Sequence, residues 1–312
     1  MNSSVRSTST IIPTLKHLDK ERLLLNDQIR QYQILLFVCI ATIGLLGYGY
    51  ANQWFASYPF GMVVGFIVAV AFALIYAAVK WGGLYNKFVR DIKSKAVNAL
   101  FKHWEMDWEY KPKTYLHKEK YRATHLFQKR MSSYSGNNYI SGTHKGVAFE
   151  MSNLQVYKSN GKSRTTIFEG ILIILNRSGE VFGTTVVLPD AAESFFGKSI
   201  GTTLQSWNSH RGLSMVYFEE DKAFEKNWVV YSNDEQEART ILEAQQRANL
   251  NELHLLFPNR CRVAFKPDAV AYSISNIQLF KLSSKHELNR KETIRGVLND
   301  IEAVERMLDF FV

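Results

Sequence analysis

Charged residues are absent from a long stretch near the N-terminus of a chain in which 21% of the residues are charged. Residues 34–51 and 60–79 are two apolar runs, and the connecting stretch ANQWFASYPFG (51–61) has four aromatic residues and no charge. A helix rises about 1.5 Å per residue, so each run can cross a hydrocarbon core of about 30 Å. Neither run has the polar stripe of a buried soluble helix. The sequence therefore predicts a transmembrane hairpin, not a cleaved signal peptide.

Basic residues are absent from the connecting loop but frequent on both flanks of the hairpin, and this asymmetry predicts its orientation. The flanks contain Arg6, Lys16, Lys20, Arg22 and Arg30 on one side and Lys80, Lys87, Arg90, Lys93 and Lys95 on the other. The positive-inside rule then predicts that the hairpin lies in the inner membrane with both termini in the cytoplasm. Trp54 and Tyr58 are expected at the far interface and Trp81 at the near one, where amphipathic rings prefer to lie.

Small residues recur at every fourth position of the second run and predict a close helix contact. They are Gly61, Gly65, Ala69, Ala73 and Ala77. A row of this kind lets another backbone approach closely. The partner is either the first run of the same chain, with Gly65 facing it, or another copy in a homo-oligomer. The alternative is that glycine and alanine are simply common in membrane helices.

The positive charge of the chain is concentrated beside the hairpin. The formal net charge is +9, and residues 81–140 alone contain twelve basic and five acidic side chains. Such a collar can bind anionic lipid head groups, at about 1 kcal/mol per basic residue near the surface; topology alone also explains it. Nucleic acid is an unlikely partner, because the distal region is nearly neutral and has no RNP-type or zinc-knuckle pattern.

Cysteine is scarce, and the common catalytic motifs are missing. The two cysteines, Cys39 in an apolar run and Cys261 in a strand-like run, exclude a disulfide framework. The two Gly-Lys-Ser triplets lack the preceding glycine of a P-loop, and no Gly-x-Ser-x-Gly or His-x-x-x-His occurs. The acidic stretch 218–226 lacks calcium-loop spacing and fits an exposed connection better. We therefore predict no catalytic residue, metal ligand or cofactor.

The rest of the sequence predicts a mostly antiparallel sheet with flanking helices. Residues 104–110 alternate as a strand, residues 116–131 look helical, and hairpin turns are expected at 143–146, 160–161, 178–179 and 267–268. A helix is expected from a cap at Ser232 or Asn233 to about residue 256, and a C-terminal helix over 284–311. The predicted organisation is a disordered tail (1–13), an amphipathic lead-in with the hairpin (14–83) and a cytoplasmic α+β domain (84–312). The fold class is thus a membrane-anchored α+β protein.

Several short segments resemble an uncharacterised prokaryotic membrane-protein family, domain of unknown function 3137, over about residues 120–312. Most of the match lies in Tyr139–Gly142, Phe149, Phe168–Gly170 and Phe224–Lys226. The hairpin is similar to the usual arrangement in that family. The resemblance implies glycines for turns and aromatics for the core, but no known activity and no catalytic residues.

Three functions remain open from the sequence. The first is a non-enzymatic inner-membrane protein whose cytoplasmic domain binds a protein partner or scaffolds an assembly. The second is a membrane-tethered domain that recognises anionic lipid. The third is an enzyme whose site the sequence does not reveal, which a convergent polar pocket would favour.

Overall fold

The chain forms two compact units in a computed structural model. The structure describes residues 11–56, 58–127, 129–159, 161, 163–177, 182–190 and 213–312. The first unit comprises the chain up to Trp104 and the segment Leu282–Arg295; the second comprises Glu105–Lys281 and Gly296–Val312. The domain limits expected from the sequence, with a boundary at residue 84, stay a prediction. Most of the predicted tail, residues 1–10, lies outside the described residues.

The first unit is built on two long antiparallel helices. The helix α1 covers Ile12–Ala51 and α2 covers Phe60–Lys87; a π-helical turn, Phe88–Lys93, leads into α3, Ser94–His103. The predicted lead-in is therefore the first half of one continuous helix. We call residues 34–51 and 60–79 the apolar half of this unit, and residues 12–33 and 80–103 the charged half.

A single seam of buried residues runs along α1 through both halves. Together with the half-buried Tyr32, Leu36, Thr42 and Leu46, its spacing follows the alternation of three and four that packs two helices together. The buried residues are Leu15, Leu18, Asp19, Arg22, Leu25, Ile29, Cys39 and Gly49. Continuity of this seam explains why α1 does not break between its charged and apolar halves.

The second unit is a nine-stranded sheet in which every paired strand is antiparallel. Its strand order is β1-β2-β3-β4-β9-β8-β5-β7-β6. The strands are β1 Trp108–Lys111, β2 Ser133–His144, β3 Val147–Ser159, β4 Arg164–Asn176, β5 Thr185–Pro189, β6 Ser214–Val216, β7 Trp228–Ser232, β8 Cys261–Lys266 and β9 Ala269–Ser275. The predicted mixture of an antiparallel sheet with helices is confirmed.

Five further helices accompany the sheet in the described chain. They are α4 Lys118–Ala123, α5 Lys222–Asn227, α6 Glu235–Ile241, α7 Ala244–Leu256 and α8 Lys291–Asp309. The helix predicted up to residue 256 is thus two helices, and Asp234, not Ser232 or Asn233, caps the first by accepting the N–H of Glu237. The predicted strand 104–110 shrinks to β1, the helix 116–131 to α4, and the C-terminal helix begins at Lys291.

Three of the four predicted hairpins agree with the strand pairing, and the fourth does not. The turns after β2, β3 and β8 connect antiparallel neighbours. The turn expected at 178–179 lies outside the described residues, but its flanking strands β4 and β5 are not neighbours. Instead β4 pairs with β9, and β5 lies between β8 and β7. Local turn chemistry cannot reveal that a distant hairpin inserts between two consecutive strands.

Two glycines that the resemblance assigned to turns lie inside strands. A Cβ at Gly142 of β2 would collide with the carbonyl oxygen of Asp107, and one at Gly170 of β4 with that of Ile274. Both glycines therefore permit close approach of a neighbouring strand, which is the common reason for glycine inside a strand. Phe149 and Phe168, which the resemblance assigned to the core, are buried.

The sheet is covered on both faces. On one face, Tyr121, Leu126 and Phe127 pack with Phe168 and Leu172 of β4 in one hydrophobic cluster. The end of the chain covers residues of β8 and β9, where the ring of Phe311 lies 4.8 Å from Tyr272 and 6.1 Å from Phe265.

Candidate functional site

The apolar half of the helical unit exposes most of its large hydrophobic side chains. Phe37 is 73% exposed and Phe72 69% exposed, and Ile34, Val38, Ile40, Phe66, Ile67 and Ile75 are exposed as well. By length and composition, both α1 and the helical stretch that begins with α2 could cross a membrane. A core helix of a soluble protein would bury this surface, because apolar burial is the main driving force of folding.

The charged half has the opposite pattern, with a buried ion pair on its seam. Arg22 is 2% exposed. Its Nε donates to Asp19 Oδ1 at 2.7 Å, its Nη2 to Asp19 Oδ2 at 3.2 Å, and its Nη1 to the Ser284 carbonyl oxygen at 2.7 Å. Asp19 Oδ1 also accepts the N–H of Leu288 at 2.7 Å. The pair thus binds the irregular segment before α8 to the first turns of α1.

The electrostatics of Asp19 favour its charged form. Burial alone would raise the pKa of this carboxyl, but the Arg22 guanidinium and the Leu288 N–H outweigh burial and hold its pKa below the ordinary value. Arg22 therefore has a negatively charged partner at neutral pH, as a buried guanidinium requires.

The predicted interfacial aromatics lie near the ends of the apolar runs. At the loop end, Trp54 and Tyr58 are exposed, and the Trp54 ring meets Tyr48 edge-on at 5.3 Å. At the other end, Trp81 stacks on Tyr85 with ring centroids 6.4 Å apart.

Four of the five predicted basic residues after the hairpin are exposed, and one is not. Lys80 holds its Nζ 5.6 Å from the Tyr76 ring, Lys87 and Lys95 are exposed, and exposed Arg90 pairs with Asp91 at 3.0 Å. Lys93 is buried, because it lies at the end of the π-helical turn, where Ile92 and Lys93 both face inward. Lys93 is therefore not part of an exposed collar.

The row of small residues leaves the helix–helix seam as it winds around α2. Ala77 is fully buried and Ala73 half-buried, but Gly61, Gly65 and Ala69 are exposed. A Cβ at Gly65 would meet no atom within 4 Å. The expectation that Gly65 faces the first run is therefore wrong. The drift of about 40° per four residues carries only one end of the row onto α1.

A cavity of about 340 Å³ lies in the sheet unit, lined by Arg122, His125, Thr184, Leu213 and Asn233. Asn233 Oδ1 accepts the N–H of Thr184 at 2.7 Å, which leaves the amide of Asn233 as a donor. Arginine, histidine and threonine also supply donors, and no carboxylate is among the lining residues. The cavity is therefore suited to an anion, and sequence reasoning missed it because its walls come from four distant segments.

The acidic stretch 218–226 serves structure in the described chain. Asp221 caps α5 through the N–H of Phe224 and accepts Arg247 Nε at 2.9 Å, and these two hydrogen bonds hold its pKa below the ordinary value. No cluster of three metal-ligating side chains occurs among the described residues. Cys261 is buried, and burial raises the pKa of its thiol to about 12, so it is not an activated nucleophile.

Comparisons with known proteins give one family and one distant structure. A search of curated proteins finds no match. The crystal structure of the mycobacterial trehalose monomycolate transport factor A, TtfA, is similar with a TM-score of 0.34 and 10% identity, covering 72% of this chain and 98% of that one. A similarity this low carries no argument. Residues 166–311 match the family "Protein of unknown function (DUF3137)", so the predicted resemblance to domain of unknown function 3137 is confirmed for that part of the chain.

Proposed function

We propose that this protein is an integral inner-membrane protein that holds its sheet unit on the cytoplasmic side, where the sheet unit binds a protein partner or scaffolds an assembly. The exposed apolar half is the observation that carries the membrane assignment. Residues 34–51 and 60–79 expose aromatic and branched side chains to their surroundings, and lipid is the environment that stabilises such a surface.

The charged half supports the same proposal from the other side. Its exposed surface contains Lys16, Lys20, Arg30, Lys87 and Lys95, which belong in water. The helices continue for about 30 Å or more beyond the apolar runs, since 22 and 24 residues at 1.5 Å each give that length. The charged half would thus project from the membrane as a two-helix stalk.

Cysteine labelling tests the topology. In a chain carrying Cys39→Ser and Cys261→Ser, single cysteines are introduced as Ala56→Cys in the loop and Val312→Cys at the end. A membrane-impermeant maleimide applied to spheroplasts should label position 56, and position 312 only after lysis. Labelling of position 312 in intact spheroplasts would contradict the orientation.

An exposed leucine pair supports the partner-binding part of the proposal. Leu255 is 78% exposed and Leu256 44% exposed at the end of α7. A photo-crosslinking amino acid at position 255 should give one adduct of defined mass in cells, and Leu256→Ser should weaken it. The control is exposed Glu252 on the same helix. Equal adducts from positions 255 and 252 would contradict a specific contact.

The cavity supports a second candidate function, binding of a small anion. Inorganic phosphate should then raise the unfolding temperature of the full chain, because a ligand at 100 times its Kd stabilises the folded state by about 2.7 kcal/mol. Arg122→Gln should abolish the shift, and Lys113→Gln, an exposed residue outside the cavity, should keep it. No shift with the unaltered chain would exclude phosphate as the ligand.

A further inference from the structure

The distance of each basic residue from the apolar half separates the predicted collar into two groups. Counted along the helices from residues 34 and 79, Lys80 is about 1.5 Å, Arg30 about 6 Å and Lys87 about 12 Å beyond the apolar runs. Lys20, Lys95 and Lys16 are about 21, 24 and 27 Å beyond them. The head-group layer on each side of a bilayer is only about 5–8 Å thick.

Screening turns this difference in distance into a difference in binding. The field of an anionic leaflet decays over a Debye length of about 8 Å at physiological ionic strength. Lys80 and Arg30 lie within the head-group layer, and the long side chain of Lys87 can reach toward it. Lys16, Lys20 and Lys95 lie more than one Debye length above it and gain little.

The near group is also available to bind. Lys80 Nζ lies 5.6 Å from the Tyr76 ring, and none of the ion pairs among the described residues includes Arg30, Lys80 or Lys87. The acidic residue nearest to Arg30 in sequence is the exposed Asp27. Arg90 is left out of the near group, because it lies about 16 Å beyond the apolar run and already pairs with Asp91. The stacked rings of Trp81 and Tyr85 lie between Lys80 and Lys87 in sequence.

We propose that Arg30, Lys80 and Lys87 form a binding site for anionic phospholipid head groups, with Trp81 and Tyr85 at the same interface. This inference rests on the proposed membrane location. It assigns the lipid contact to these three residues and not to the whole basic stretch, whose excess charge extends to residue 130.

The test compares two triple variants of equal charge in the full-length protein. The near variant is Arg30→Gln, Lys80→Gln and Lys87→Gln; the far variant is Lys16→Gln, Lys20→Gln and Lys95→Gln. Each protein in detergent micelles is titrated with phosphatidylglycerol or phosphatidylcholine, and native mass spectrometry measures the bound lipid. At about 1 kcal/mol per residue, each near residue contributes about fivefold to the preference for the anionic lipid.

The unaltered protein and the far variant should prefer phosphatidylglycerol by tenfold or more, and the near variant should lose most of that preference. Equal loss in both variants, or no preference in the unaltered protein, would overturn the inference. Carbonate washing of membranes separates this result from the membrane assignment. All three proteins should stay in the washed membranes; release of the unaltered protein would overturn the proposed membrane location and this inference together.

Discussion

The apolar and charged halves of the helical unit share one seam, but their outer faces and their buried residues have opposite polarity. In the apolar half, hydrophobic side chains cover the outside and the seam holds small or apolar residues such as Ala77 and Cys39. In the charged half, charges cover the outside, yet the seam encloses Arg22 and Asp19. The difference shows that one helix pair can face two surroundings through its outer residues, while its buried seam continues from one half to the other.

The largest expected effect comes from breaking the buried pair of the charged half. Arg22→Ala leaves Asp19 buried without its main partner and frees the Ser284 carbonyl, so the free energy of unfolding should fall by about 3–5 kcal/mol. Thermal and denaturant unfolding of the full chain in detergent, followed by circular dichroism, measures this.

Two controls sharpen that result. Arg30→Ala, an exposed arginine on the same helix, should change stability by less than about 0.5 kcal/mol. The apolar pair Asp19→Leu with Arg22→Met should recover much of the loss, because it removes both charges together. Equal effects of Arg22→Ala and Arg30→Ala would show that the ion pair does not stabilise the charged half.

A smaller effect is expected from overpacking the seam in the apolar half. Ala77 is fully buried, so Ala77→Leu must separate α1 from α2 and should cost about 1–3 kcal/mol. The exposed neighbour Ala78 provides the matched control, and Ala78→Leu should be nearly neutral. If the two variants unfold alike, α1 and α2 do not pack at Ala77.

Acid should weaken the charged half through Asp19. Because the pKa of Asp19 is depressed in the folded state, its stabilising contribution is present above the ordinary value of about 3.9 and is lost as pH falls through the folded pKa. Stability should therefore decline below about pH 5 in the unaltered protein. Asp19→Asn should be less stable at pH 7 and should decline less between about pH 5 and pH 2. An unchanged acid decline in Asp19→Asn would assign it to other carboxylates.

The smallest effect is expected on the outer face of the apolar half. Gly65→Leu meets no atom of the chain within 4 Å, so it should change stability by less than about 0.5 kcal/mol, like an Ile67→Leu control. The folded yield in detergent-solubilised membranes measures this. A loss comparable with that of Ala77→Leu would indicate that a second copy packs against Gly65.

The candidate sites were predictable only in part, and particular residues show why. The proposed interfacial position of Lys80 and Lys87 needs only the sequence, because distance along a helix follows directly from residue number. The buried position of Lys93 does not follow from the sequence, since the π-helical turn that directs it inward leaves no periodic signal. Gly65 was misplaced because a row of small residues shows which helix face it follows, but not which face the partner occupies. The cavity residues come from four segments that are far apart in the sequence, so no local pattern brings them together.

The sequence by itself determined the two apolar runs, the antiparallel character of the sheet and most of its hairpins, because these depend on local periodicity and turn chemistry. Only the tertiary structure decided that the β8–β9 hairpin lies between β4 and β5, and that Ser284–Leu288 joins α1 through Asp19 and Arg22. The physical reason is the same in both cases. Hydrogen bonds between segments far apart in the sequence, such as Val187 with Val263 or Arg22 with Ser284, are selected by how surfaces fit together, and no short window of sequence contains both partners.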